Sequence, residues 1–274
     1  MNVLTTLLRR QLIESRWLLG VSAAAFFAIA VLTTWMASRF ERLIASGDLI
    51  PGDRRYGFLR GLGGPAQDYS TTGLEICWWN HPVLVMVLLS WAVARASAAV
   101  AGEIEKGTVD VTLSRPVSRT AYLSSQVIFA VLGLMTLAGA LVVGTLIGGA
   151  YFGVKSPPSW LTLLRPAAMV VTLGMAVFGY TVPFSALDTV RWRPTLVGAS
   201  ITLGGLIALS VVNQFPDYEN VLNKLSVFQV YAPVTVALKG EPLAYNVAVL
   251  LSVFVLGTIA AFVAFLRRDI PSNS

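Results

Sequence analysis

Six long apolar runs, separated by polar stretches, account for most of this chain. They cover residues 17–36, 82–101, 120–153, 166–187, 195–212 and 245–266. A bilayer hydrocarbon core about 30 Å thick needs roughly 20 helical residues at about 1.5 Å each, so each run predicts one transmembrane helix. The run 120–153 carries no charge and is too long for a single perpendicular crossing, so it must tilt, kink near its glycines or begin with a surface turn. Within it, Gly144 and Gly148, then Gly149 and Gly153, have the small-xxx-small spacing that lets helices approach closely. Ahead of the first run, residues 1–16 place Leu4, Leu8 and Leu12 four apart, with Leu7 and Ile13 near the same stripe and Arg9, Arg10 and Arg16 off it. That pattern predicts an amphipathic helix on the membrane surface, its arginines toward anionic headgroups; a basic leader that only sets orientation is the other reading. The first run is longer than the roughly 7–15 residues of a signal-peptide core, which argues against cleavage.

The polar stretches differ in kind. The connector 38–80 holds Gly61, Gly63 and Gly64, but no Lys-Ser or Lys-Thr follows and no apolar strand precedes, so turns explain these glycines better than a phosphate cradle. Trp78 and Trp79 sit where the second run begins, the position of aromatic residues at the headgroup level. Residues 155–165, with Pro157 and Pro158, predict a short turn, and Asp188, Arg191 and Arg193 a tight charged turn around Trp192. In the connector 213–243, the half-apolar stretch 227–238 is too short to cross and is interfacial or re-entrant. Arg95 stands about two thirds of the way along the second run. A charge at the centre of a span costs about 2.5–3.5 kcal/mol on the insertion scale. Either Arg95 snorkels to the near side or it has a buried partner or a cavity.

Composition agrees with the pattern. The chain is 55% hydrophobic and 12% charged, where soluble domains carry about 25% charged residues. The class is therefore all-α: a polytopic membrane protein with six transmembrane helices and an N-terminal amphipathic helix. The net charge of +6 does not point to nucleic acid, because the basic residues are scattered beside the spans. One cysteine, Cys77, forms no internal disulfide. With the N-terminus inside, the short inner loops and tails hold most of the Lys and Arg, although the first connector carries five arginines on the outer side. Short loops weigh most in orientation, so a location in the cell's inner (plasma) membrane with both termini cytoplasmic is expected.

Between the second and third runs lies a polar segment of both charge signs, Glu103 to Arg119. Glu103, Glu105 and Lys106 continue the second helix out of the membrane, Gly107 loosens it, and Pro116 pushes Arg115 away from helical geometry. Ser118 or Thr120 can cap the third span. The result is a short elbow held by two membrane helices. The spacing Glu103-x-Glu105-x-Gly107-Thr108, followed by Leu113-Ser114-x-Pro116-x-Ser118-Arg119, resembles the cytoplasmic loop after the second span in permease subunits of type-2 ATP-binding-cassette exporters. The layout of nearly the whole chain is similar too. The resemblance implies that the elbow is a coupling helix docking on a separate ATPase subunit, with ATP and Mg on that partner and none on this chain. It implies that Glu103 and Glu105 pair with basic groups of the ATPase or of the N-terminal helix, that Gly107 and Thr108 form the bend, and that Pro116, Ser118 and Arg119 form the return. It also implies a second permease copy or a related permease. The chain departs from the family's leucine-rich pattern at Val109, Asp110, Val111 and Thr112.

No G-x-x-x-x-G-K-[ST] occurs, so this chain does not bind and hydrolyse ATP by that route. Two other classes fit the residues less well. A membrane-embedded enzyme lacks its parts: the single histidine, His81, is at a membrane edge, Ser200 has no histidine partner, and no ligand set for a metal lies within the spans. A secondary carrier or channel is the alternative function, but the spans carry almost no carboxylates for ion coupling. Arg95, Gln126 and Asn213, polar within or beside spans, are the candidate pathway residues. Membrane lipid is an expected partner; the substrate has no signature.

Overall fold

The protein is described from a computed structural model, covering residues 3–45, 78–108, 117–154, 157–214, 227–238 and 243–268. These residues are all-α, and six of their helices are long and apolar enough to cross a membrane. Helix α1 spans Val3–Ala45, and α2 runs from Pro82–Ser97 through a π turn, Ala98–Gly102, to end at Glu103–Glu105. Then come α3 (Arg119–Phe152), α4 (Trp160–Leu187), α5 (Trp192–Gln214), the short α6 (Pro233–Leu238) and α7 (Leu243–Arg267). Two 3-10 turns, Trp78–Asn80 and Val227–Val230, precede α2 and α6.

Helix α4 is the axis of the bundle. It packs against α2, α3, α5, α6 and α7, and Leu163, Met169, Val170, Leu173, Ala176 and Val177 along it are fully buried. In lipid the association of helices depends on close packing and interhelical hydrogen bonds more than on the hydrophobic effect. The α4–α7 crossing shows how. Pro183 has no N–H to give the carbonyl of Gly179, and that carbonyl faces Gly257 of α7, where an added Cβ would overlap it. Thr172, Thr181, Thr195 and Thr202 each donate to the carbonyl four residues back, which keeps their hydroxyls satisfied without water.

The second close pair is α1 with α3. Both outrun the bilayer: 43 and 34 residues correspond to about 60 and 50 Å of helix. The glycine spacing in α3 serves this pair within the chain, since a Cβ at Gly144 would stand 2.7 Å from the Ala30 Cβ and one at Gly148 would stand 2.9 Å from the Thr34 Cβ. Helix α3 is continuous from Arg119 until Gly153 ends it at φ +64°, so no surface turn separates its start from the span.

Three expectations are revised, and a fourth gains detail. Residues 3–16 are helical but not a separate surface helix: they are continuous with the first span, because nothing near Arg16 and Trp17 breaks a helix. Their inward stripe is Leu4, Leu7, Leu8, Gln11 and Ser15, while Leu12 and Ile13 face outward. Trp79 is 1% exposed, a core residue and not a headgroup anchor. The turn before α4 is shorter than 155–165: Ser159 caps the helix by accepting from the Thr162 N–H at 3.2 Å, so Arg165 and Pro166 are helical. Within the stretch 227–238, Phe228, Tyr231, Val234 and Val236 are buried against the bundle. The Tyr231 hydroxyl donates to the Trp79 carbonyl at 3.0 Å.

The Gly257 crossing gives the first prediction. Gly257→Ala is expected to cost about 1–3 kcal/mol, the usual range for overpacking, whereas Gly139→Ala, with nothing within 4 Å of its added Cβ, is expected to be neutral or slightly stabilising. Thermal unfolding in one detergent checks both.

Candidate functional site

Six helix ends meet at one end of the bundle, termed here the elbow end. Glu103, at the tail of α2, accepts from Arg10 of α1 at 3.4 Å and from the Thr108 hydroxyl at 2.6 Å. Arg10 also pairs with Glu14 at 2.7 Å. Glu105 accepts from the Arg191 backbone N–H at 3.0 Å, placing a carboxylate at the start of α5, where the helix dipole favours it. Gly107 closes the turn with its N–H on the Ile104 carbonyl at 2.9 Å and φ +69°, a conformation glycine adopts without strain. Ser118 caps α3 by accepting from the Ala121 N–H at 3.1 Å.

Arginines close the other helix ends here. Arg119 donates to the carbonyls of Phe265 and Arg268 at the end of α7, with its guanidinium over the Phe265 ring. Arg268 donates to the carbonyls of Ala186 and Asp188 at the end of α4, at 3.0 and 2.8 Å. Cationic donors at helix C-termini satisfy orphan carbonyls and the dipole together.

Just inside this rim lies the π turn. A π turn interrupts the regular hydrogen-bond ladder, and in a membrane the freed groups need partners from the protein. Ser185 of α4 supplies three: its hydroxyl accepts from the N–H groups of Val100 and Ala101 at 3.2 and 3.0 Å and donates to the Ser97 carbonyl at 2.9 Å. Tyr122 of α3 donates to the Ala99 carbonyl at 2.9 Å, and Arg191 donates to the Ala94 carbonyl at 3.3 Å.

The same network reaches Arg95. Gln126 donates to the Tyr122 hydroxyl at 3.3 Å and accepts from Arg95 at 3.2 Å, while Arg95 also donates to the Ser15 hydroxyl at 3.0 Å and lies 4.7 Å over the Phe129 ring. Beside them, Gln11 donates to Ser125 at 2.8 Å. One hydrogen-bonded chain thus runs from α1 through Arg95 and α3 to the π turn and α4. A cavity of about 200 Å³ opens against it, lined by Gln11, Glu14, Arg95, Lys106 and Arg191 among others. So Arg95 has buried partners and a cavity rather than snorkelling freely.

Of the residues singled out from sequence, Glu103, Glu105, Lys106, Gly107, Thr108, Ser118 and Arg119 gather at the elbow end. Of the two pairings considered for Glu103, the one within the chain is present. Arg115 and Pro116 lie outside the described residues, as does the middle of the elbow. Arg95 and Gln126 are bonded to each other; Asn213 is not brought to them, standing roughly 30 Å along α5 from its start. Missed from sequence were Ser185, Tyr122 and Arg191. Only Arg191 had a visible signal, a charge placed at the end of the α4–α5 turn. Among the described residues, no three His, Cys, Asp or Glu side chains cluster as a metal site would need.

Fold and site together define a polytopic membrane protein whose polar chemistry is concentrated at one end of a six-span bundle. The chain belongs to the family described as "Protein of unknown function (DUF2705)", whose profile matches residues 25–271. No curated protein matches it.

Removing the Ser185 hydroxyl would leave two buried N–H groups and a carbonyl without their partner, at about 1–3 kcal/mol for such a loss. Ser185→Ala is therefore expected to accelerate amide exchange at Val100 and Ala101 while leaving mid-α3 amides unchanged. Hydrogen exchange read by mass spectrometry checks this; unaltered exchange in the π turn would show that it holds itself.

Proposed function

We propose that this chain is the membrane permease subunit of an ATP-driven ABC exporter, lying in a plasma or inner membrane with the elbow end cytoplasmic. It works with separate ATPase subunits carrying ATP and Mg, and with a second copy or a related permease. The observation that carries this reading is the tying of the elbow to several spans at once. Glu103 holds α1 through Arg10, Glu105 holds α5 through the Arg191 N–H, and Arg119 at the return holds α7. A push on such an elbow moves the bundle's ends as a set, as coupling to a motor subunit requires. The rest of the support is the spacing of the elbow motif and the lack of any nucleotide-binding loop on the chain.

Glu103 is engaged inside the chain and the Glu105 carboxylate accepts from the Arg191 N–H, so the outward contact falls first on the exposed Lys106, with the exposed Glu105 beside it. Export direction and the role of Arg95, Gln126 and Asn213 in a pathway rest on the resemblance and on polarity.

Photo-crosslinking tests the reading. A photoreactive residue at Lys106 is expected to capture an ABC ATPase from intact cells, identified by mass spectrometry, whereas the same residue at Tyr151, 82% exposed near the opposite end of α3, captures none. Transport that proceeds on an ion gradient with no ATPase captured at position 106 would overturn it in favour of a secondary carrier.

A further inference from the structure

Three cavities adjoin one another along α2: the polar one lies between α1, α2 and Gln126 of α3 with Arg191 at its edge, and the other two lie along the α2–α5 seam. The polar one, described above, is shared through Ala94 and Arg191 with a shallow cleft that also touches Trp192, Thr195 and Ala199. That cleft continues through Ala94, Thr195 and Ala199 into an apolar groove of about 310 Å³ lined by Met86, Leu89, Val93, Leu203 and Leu206 among others. Polar cavity and apolar groove together have the form of a site for an amphiphile.

The polar end is specific in its demands. Arg95, Lys106 and Arg191 line it, and the two carboxylates that also line it, Glu14 and Glu103, are both paired with Arg10. The carboxylate of the adjoining cleft, Glu105, accepts from the Arg191 backbone N–H. The balance left for a ligand is cationic. Two lining side chains each keep a buried atom without a partner among the described residues: the donor Nε of Arg95 and the acceptor Oε1 of Gln11. A ligand that fits offers anionic acceptor oxygens and at least one donor hydroxyl. Position narrows it further. Arg95 is eight residues before Glu103, about 12 Å into the bundle from the elbow end, and Met86 is about 13 Å deeper along α2. The polar end therefore lies near headgroup depth in one leaflet, and the groove runs on among the acyl chains. Basic pockets between spans are a recurring site for anionic lipid headgroups.

We infer that the α2–α5 seam binds a phospholipid with an anionic, hydroxyl-bearing headgroup of the phosphatidylglycerol kind. Its phosphodiester sits by Arg95, Lys106 and Arg191, and one acyl chain lies in the groove. The inference shares Lys106 with the proposed ATPase contact, so Arg191→Gln and Ala199→Trp, which change no side chain of that contact, are the variants that separate the two readings.

The test is native mass spectrometry of the purified full chain, titrated with phosphatidylglycerol or with phosphatidylcholine of the same acyl chains. Phosphatidylglycerol is expected to bind about tenfold more tightly, and Arg191→Gln and Lys106→Gln each to remove about fivefold of that preference, as expected for a cation near a headgroup. Ala199→Trp, which fills the groove and spares the cations, is expected to weaken both lipids equally. Arg95→Gln serves only if it folds; the other three variants carry the test without it. Equal binding of the two lipids, or no response to Ala199→Trp, overturns the inference. So does glycerol phosphate displacing the lipid fully at equal concentration, because the site would then belong to a small anion.

Discussion

A guanidinium inside a membrane bundle must be matched where it stands. Arg95 cannot shed its proton in practice and is too deep in α2 to leave its charge wholly to water. Its partners come from other helices: Ser15 on α1, Gln126 on α3 and the ring face of Phe129. Holding them in reach fixes the register of α1 and α3 against α2. The π turn a few residues on imposes a second demand of the same kind, met by Ser185, Tyr122 and Arg191. Because Gln126 bonds both Arg95 and Tyr122, the two demands are solved by one network.

That network explains why the elbow end holds the protein's chemistry. The middle of the bundle is packed largely by small and apolar residues, and Thr172, Thr181 and Thr202 there bond back to their own helices. At the elbow end, carboxylates and arginines instead link successive helix ends, from Arg10 and Glu103 to Arg119, Arg268 and Asp188. Individually, part-exposed ion pairs contribute little, roughly 0–1 kcal/mol. Their importance is geometric, since each joins two elements that would otherwise move separately. A π turn at the root of the elbow is also a place where a helix can change register at low cost, provided its freed groups keep partners.

Much of this was legible in the chain. The six apolar runs became six long helices, with ends displaced by a few residues where caps such as Ser159 and Ser118 decide the boundary. Gly107 bends the chain as its lack of a side chain suggests. Arg95 announced itself as a charge out of place, though its partners, distant in sequence, could not be named. The π turn was invisible, because Ala98-Ala-Val-Ala-Gly102 gives no local signal for it, and the groups that stabilise it, Ser185, Tyr122 and Arg191, come from elsewhere in the chain. The inward stripe of α1 was misjudged for a related reason: Gln11 and Ser15 face in because α2 and α3 offer polar partners there, and Leu12 and Ile13 face out because lipid accepts them. A polarity pattern designed for water misreads a helix whose surroundings are lipid on one side and polar protein on the other.

The central claim is that Arg95 joins α1, α2 and α3 into one energetic unit. A double-mutant cycle on Ser15→Ala and Gln126→Leu, measured by unfolding in detergent, tests it directly. These two residues sit on different helices and share the guanidinium as a partner. The account predicts a coupling energy of about 0.5–3 kcal/mol, the range for residues of one network. Simple additivity of the two substitutions would contradict it, and would mean that the elbow end is a set of separate contacts.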